Sequence, residues 1–181
     1  VMYILEYNGT FGFIKPWSAV RDSETFSQQF LTPSIVEGME KKLFPEMIKE
    51  KGIHKILRHK LCYDAMSKQK EVIQTRGWFC EKKALVRNRS VLTRAVLINP
   101  TLYLAFENRE DAIAASTQHI CLCRNEDILL PKAKIVQMTE DEFDNVKGFE
   151  LRFGKTDNAI LVGYNRYDDG KPMYGELEYT E

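Results

Sequence analysis

Apolar positions along this chain recur in short runs whose period changes from two residues to three or four, which predicts a domain of mixed strands and helices. Met2-Tyr3-Ile4-Leu5-Glu6-Tyr7 is short, aromatic and β-branched, and reads as a first strand that the turn residues Asn8-Gly9 close. Residues 10–30 read as a loop, because Pro16 fits neither a helix interior nor a central strand. Thr32-Pro33-Ser34 opens a helix, with Thr32 at the N-cap and Pro33 at the first helical position, where its missing N–H costs nothing. Ile35, Val36, Met39, Leu43 and Phe44 follow at helical spacing, and Gly52 is the expected end of the helical stretch. Gly38 inside this helix costs about 1 kcal/mol relative to Ala. The expected reason is the close approach of another backbone.

Residues 53–66 read as a strand. Residues 68–78 and 80–92 read as two arms of a hairpin bent near Arg76-Gly77. Residues 94–106 hold the apolar runs Ala95-Val96-Leu97-Ile98 and Leu102-Tyr103-Leu104, and read as one long strand bulged or broken at Pro100. A short helix is expected over 108–117, started by Asn108-x-x-Asp111. Strands follow at 120–122 and 128–138, then an acidic turn or helix start at Thr139-Glu140-Asp141-Glu142. Residues 149–179 read as a terminal antiparallel pair around Asp168-Asp169-Gly170. With the hairpin set aside, the order is βαββαβ. The expected architecture is therefore α+β: one domain over 1–181, a ferredoxin-like (RNA-recognition-like) fold. It carries an inserted basic β-hairpin at 68–94 and a C-terminal antiparallel strand extension at 139–181. That fold hosts many activities, so function must come from particular residues.

Composition bounds the possibilities. At 181 residues, 44% hydrophobic and 29% charged, the chain can bury a core and is not of disordered type. No apolar run approaches the roughly 18 residues of a membrane span, and no basic segment followed by an apolar one opens the chain. A cytoplasmic protein without membrane contact is expected. Cys62, Cys80, Cys121 and Cys123 are too few and too scattered for a disulfide framework, and are expected to be buried reduced thiols. Cys121-Leu122-Cys123 lacks a second ligand pair, and His54, His59 and His119 offer no metal spacing, so neither metal nor cofactor is expected.

Charge changes the picture. The formal net charge is zero, yet residues 1–104 hold 17 Lys/Arg against 10 Asp/Glu, and residues 105–181 hold 9 against 16. Residues 49–94 alone hold 13 basic and 4 acidic side chains, the local excess expected where phosphates are contacted. Lys68, Lys70, Arg76, Lys82, Lys83, Arg87, Arg89 and Arg94 are interleaved with Trp78 and Phe79. Cations bind phosphate, and a Trp face stacks on an unpaired base for about 1–3 kcal/mol, which suits single-stranded RNA. Trp78 tucked into the core is the alternative. The loop Gly12-Phe13-Ile14-Lys15-Pro16-Trp17-Ser18-Ala19-Val20-Arg21 sets Trp17 between Lys15 and Arg21, a second candidate RNA surface unless its aromatics cover the edge of the core.

For catalysis the chain offers little. There is no P-loop, no G-x-S-x-G and no H-E-x-x-H. His59, between Arg58 and Lys60, is the candidate proton carrier for metal-independent RNA cleavage.

Taken in order, several of these segments resemble the CRISPR-associated protein 5 family. Gly9-Thr10-Phe11-Gly12-Phe13-Ile14-Lys15-Pro16, then Phe30-Leu31-Thr32-Pro33-Ser34-Ile35-Val36-Glu37-Gly38, is similar to its opening strand, glycine-aromatic loop and first helix. Leu122-Cys123-Arg124 with Glu126, and Tyr167-Asp168-Asp169-Gly170-Lys171-Pro172-Met173-Tyr174, are similar to later stretches of the subtype I-C branch, and Arg124 joins the candidate RNA contacts. The resemblance implies a subunit of a Cascade-type complex that grips the 5′ handle of the CRISPR RNA and meets the large subunit and the backbone subunit. In the I-C branch it also implies a metal-independent endoribonuclease using a tyrosine before the first helix and a lysine-histidine pair near the second. Here the sequence departs: Gln28 stands where the tyrosine is expected, and Asn108-Arg109-Glu110-Asp111 where the pair is expected. The expectation is RNA binding without cleavage. A precursor-RNA endoribonuclease, or a virus-encoded mimic that occupies a subunit's place and inhibits the complex, are the alternatives.

Overall fold

A computed structural model of the chain describes residues 1–19, 23–74 and 77–181. The first strand, β1 (Met2–Asn8), is buried on both faces. That is why its sequence is nearly continuous in apolar residues rather than alternating. Leu5 and Tyr7 face two helices, α1 (Pro33–Leu43) and α2 (Arg109–Ala115), while Met2 and Ile4 pack on Phe143 of the short α3 (Glu140–Asp144) across the sheet. The Tyr7 hydroxyl donates to the Ala115 carbonyl at 2.8 Å, tying β1 to the end of α2.

Beside β1 lie β9 (Thr101–Phe106) and β11 (Ile128–Met138), and beyond β9 lies β4 (Ile56–Cys62). The sheet order β11-β1-β9-β4 is antiparallel throughout. The two-residue β10 (Ile120–Cys121) flanks β11 at one side. At the other side β12 (Gly148–Phe153), β14 (Lys171–Thr180) and β13 (Ile160–Asn165) add to β4 and complete eight strands. A second sheet is centred on β8 (Arg89–Ile98), which pairs with β2 (Phe11–Gly12), with β5 (Ala65–Gln74) and, in parallel, with β3 (Glu24–Phe26). A small hairpin, β6 (Phe79–Glu81) with β7 (Ala84–Val86), caps the far end of β5 and β8.

Several sequence expectations change. The apolar run over 94–106 is broken at Pro100, one of the two expected forms, but its halves are strands of different sheets. Asn99 takes φ 49°, a conformation asparagine tolerates, and the chain passes at Pro100 from the second sheet to the first. The hairpin bend is not at Gly77. The β5–β8 ladder runs from Ala65↔Ile98 to Gln74↔Arg89, and the tip turns at Lys82-Lys83, with φ of 48° and 68°. Residues 10–30 are not all loop, since they supply β2 and β3. Helix α1 ends at Leu43 rather than near Gly52, because Pro45 restricts Phe44 and opens a separate 3-10 turn, Pro45–Lys49. Thr32 is the N-cap by backbone geometry, without a side-chain capping bond. Gly38 is not met by another backbone: a Cβ there would lie 3.0 Å from the Tyr167 hydroxyl and 3.3 Å from an Arg166 guanidinium nitrogen.

Two buried carboxylates organise the body. Glu40 of α1 accepts from the backbone N–H groups of His54, Lys55 and Ile56 at 2.7–2.8 Å, fixing the entry to β4. On the opposite face Glu150 accepts a two-pronged pair from Arg58, at 2.9 and 2.6 Å. Lys60 is buried beside it and donates to the carbonyls of Asp144 and Val146 at 2.8 and 2.7 Å and to the Thr180 hydroxyl at 3.0 Å.

Candidate nucleic-acid interface

The inner end of β8, Ala95–Leu97, is buried, but β5 is largely exposed on both faces and the outer half of β8 is exposed or half-buried. These two strands form an arm that leaves the body. Without a core, such a ladder depends on its backbone bonds and on cross-strand side-chain pairs such as Val72↔Val91. Register puts Lys68, Lys70, Val72 and Gln74 on one face with their partners Ala95, Thr93, Val91 and Arg89. That face is cationic and apolar together. Lys68 pairs with Glu24 and lies 5.3 Å from the Phe26 ring centre. On the reverse face Arg94 is held by Glu71 at 2.8 Å.

The tip continues the same chemistry. Trp78 is 58% exposed, so it is not tucked into the core, and the Arg87 guanidinium lies 4.3 Å over its ring. Phe79 and Leu85 are also exposed there, and Lys82 and Lys83 occupy the turn. Among the described residues no carboxylate pairs with Lys70, Lys82, Lys83, Arg87 or Arg89. Arg76, also expected at this surface, lies outside the described residues, as does Arg21.

The sequence's basic excess over 49–94 is thereby divided. Arg58 and Lys60 are consumed inside the sheet, and Lys55 is held by Asp111 at 2.7 Å and Glu46 at 3.2 Å. The cations left without a carboxylate are concentrated on the arm. Arg124 is likewise committed, since its guanidinium grips the fully buried Asp127 at 2.7 Å and sits 5.5 Å from the Phe13 ring. The buried carboxylate requires that partner, so Arg124 is engaged inside the fold as well as expected at RNA.

His59 is 3% exposed and stacked 5.1 Å from Phe153, with Nε2 unpartnered. Burial, joined by the nearby cations Arg152 and Arg58 and only partly opposed by a hydrogen bond with the Leu31 backbone, depresses its pKa to about 3. It is a neutral ring beneath the surface, which argues against its part as candidate proton carrier. The flanking Arg58 and Lys60 serve the other side of the sheet. Gln28 donates to the Phe30 carbonyl at 2.8 Å, and Asp111 of α2 is engaged by Lys55. The cysteines are free, but the expected burial fails, as Cys80 and Cys123 are exposed.

Lys15 and Trp17 stand elsewhere, at a cleft between α1 and β13. Trp17 is 48% exposed and meets Tyr164 edge-on, ring centres 5.8 Å apart. Gly163, at φ +129°, makes room, since a Cβ there would lie 3.3 Å from Trp17. The cleft has two adjoining lobes, about 330 and 140 Å³, that share Lys15, Ser34, Ile35 and Tyr164. Lys42, Tyr164 and Arg166 were not indicated by sequence. They come from segments far from Trp17, and no local motif marks them.

No helix among the described residues is long and apolar enough to cross a membrane, and none of these residues group as three or more His, Cys, Asp or Glu able to hold a metal. No protein-family model matches the chain, and no curated protein matches it. Among solved structures, a chain described as "CRISPR RNA-guided surveillance complex" is similar over 100% of this chain and 90% of its own length, with a TM-score of 0.56 and 14% sequence identity. At that identity the likeness establishes a shared fold along the whole chain.

Proposed function

We propose that this chain is an RNA-binding subunit of a Cascade-type CRISPR effector complex, of the CRISPR-associated protein 5 kind, that grips the 5′ handle of the guide RNA without cutting it. The arm carries the reading. Its exposed ladder and tip present Lys68, Lys70, Lys82, Lys83, Arg87 and Arg89 beside an exposed Trp78. Cations on a strand pair track phosphates, and an exposed indole stacks on an unpaired base. In this reading the sheet order β11-β1-β9-β4 with α1 and α2 on one face is a ferredoxin-like core. The arm is its inserted thumb, and α3 with β12–β14 is its C-terminal extension. The shared fold with a chain of an RNA-guided surveillance complex supports the same assignment. Contacts with the large and backbone subunits of such a complex belong to the proposal.

Absence of cleavage is part of it. A base for 2′-hydroxyl attack must reach the RNA, and His59 is buried and neutral. Recovering the chain from its native host tests the assignment. Small RNAs sharing a repeat-derived 5′ sequence should come with it; recovery of no RNA overturns it. A viral mimic that merely occupies the subunit's place would come down with complex proteins but would not bind repeat RNA when purified alone.

A further inference from the structure

Tyr164, Arg166, Lys15 and Lys42 are brought to one cleft by β13, by the loop after β2 and by α1. Three features of its lining point to a ligand. First, among the described residues every charged side chain in either lobe is a cation, and no Asp or Glu lines them. Arg166 donates to the Tyr167 hydroxyl at 2.9 Å, and Lys42 to the His119 carbonyl, so both are held in place by neutral oxygens, and among the described residues no carboxylate pairs with either. Second, the first turn of the eleven-residue α1 opens here through Thr32 and Ser34, and that turn contains no acidic residue. The positive end of the helix therefore adds to the cations. Third, the mouth carries two exposed aromatic rings, Trp17 and Tyr164, in a fixed edge-to-face arrangement.

An anion alone would have no use for the aromatic pair, and an apolar ligand none for the cations. A nucleotide uses both. We infer that this cleft binds a single nucleotide unit of an RNA strand, its phosphate on Lys15, Lys42 and Arg166 and its base against the exposed faces of Trp17 and Tyr164. The inference rests on the RNA-binding reading and extends it. The site is separate from the arm, so the strand is held at two points, and the second is built by β13 of the C-terminal segment rather than by the basic stretch. The larger lobe falls within the size range of small-ligand pockets.

The chain has two tryptophans, and Trp78 stands on the arm. The variant W78F therefore leaves Trp17 as the single indole reporter. Titrating it with AMP and UMP at low salt should quench Trp17 emission saturably. Adenosine, lacking the phosphate, should bind at least tenfold more weakly. R166E and Y164A, both at exposed positions, should each weaken quenching by AMP at least tenfold while leaving the circular dichroism spectrum unchanged. No saturable quenching at millimolar nucleotide, or quenching indifferent to R166E and Y164A, overturns the inference. The two claims fail separately. A fluorescent twelve-nucleotide RNA that binds the wild type, R166E and Y164A equally well sinks the cleft and leaves the arm standing. An RNA that never binds sinks the RNA reading itself and this inference with it.

Discussion

The guanidinium of Arg87 lies 4.3 Å from the centre of the Trp78 ring, at the end of an arm where neither side chain is covered by the body. A cation–π contact at an exposed site is worth about 0.5–1 kcal/mol, too little to be explained as a device for folding. It does hold the indole in one orientation with a charge over one face, which lowers the cost of stacking an unpaired base on the other. Trp78→Ala should therefore weaken single-stranded RNA binding by about 1–3 kcal/mol, roughly five- to 150-fold, and leave thermal stability nearly unchanged. Fluorescence anisotropy with a labelled repeat RNA reads the first, and a melting curve the second.

The Arg58–Glu150 pair makes the opposite prediction, although Arg58 belongs to the same basic stretch of sequence. Glu150 is almost fully buried, and Arg58 meets it with two hydrogen bonds between β4 and β12. Glu150→Ala leaves a guanidinium partly buried with only Asp144 as partner, at 2.6 Å. The expected loss is about 3 kcal/mol or more, measured by urea unfolding. Any fall in RNA affinity should track the unfolded fraction alone.

His59 gives a pH dependence with a definite sign. Its folded pKa is depressed to about 3 from a usual value near 6.5, chiefly by burial. Between those values the unfolded chain binds a proton that the folded chain does not, so stability falls as pH falls from about 6.5 toward 3, by about 1.4 kcal/mol per unit for this one group. Carboxylates held by cations add losses of the same sign at the acidic end. Comparing the wild type with His59→Phe between pH 6 and 4.5 isolates the histidine. The variant should show the shallower slope.

The elements that were legible in the sequence are those whose pattern is local. Strand β1 announced itself by a run of apolar residues ended by Asn8-Gly9, and α1 by Thr32-Pro33 followed by apolar residues at helical spacing. The break at Pro100 was legible, but both flanking runs are apolar, and periodicity cannot say that they enter different sheets. Residues 10–30 were misread because β2 and β3 are two and three residues long and owe their existence to β8, not to their own propensity.

The candidate interface was partly legible for the same reason. A count of Lys and Arg finds the arm, but it cannot separate Arg58 and Lys60, whose partners lie 84 to 120 residues further along, from Lys82 and Lys83, which pair with no carboxylate among the described residues. Trp17 was visible beside Lys15, whereas Tyr164 and Arg166 reach the same cleft only through the pairing of β13 with β14.

The salt dependence of RNA binding tests the central claim most directly. Each phosphate contacted on a single strand contributes about −0.7 to the slope of log K against log salt concentration, so four contacts by Lys82, Lys83, Arg87 and Arg89 predict a contribution of about −3. The wild-type chain should bind a repeat-derived single-stranded RNA with a slope at least that steep. The variant with all four reversed to Glu should lose binding at moderate salt and show a slope shallower by about 3 wherever binding can still be measured. An affinity and a slope unchanged by the four reversals would contradict the assignment of the arm as the RNA grip.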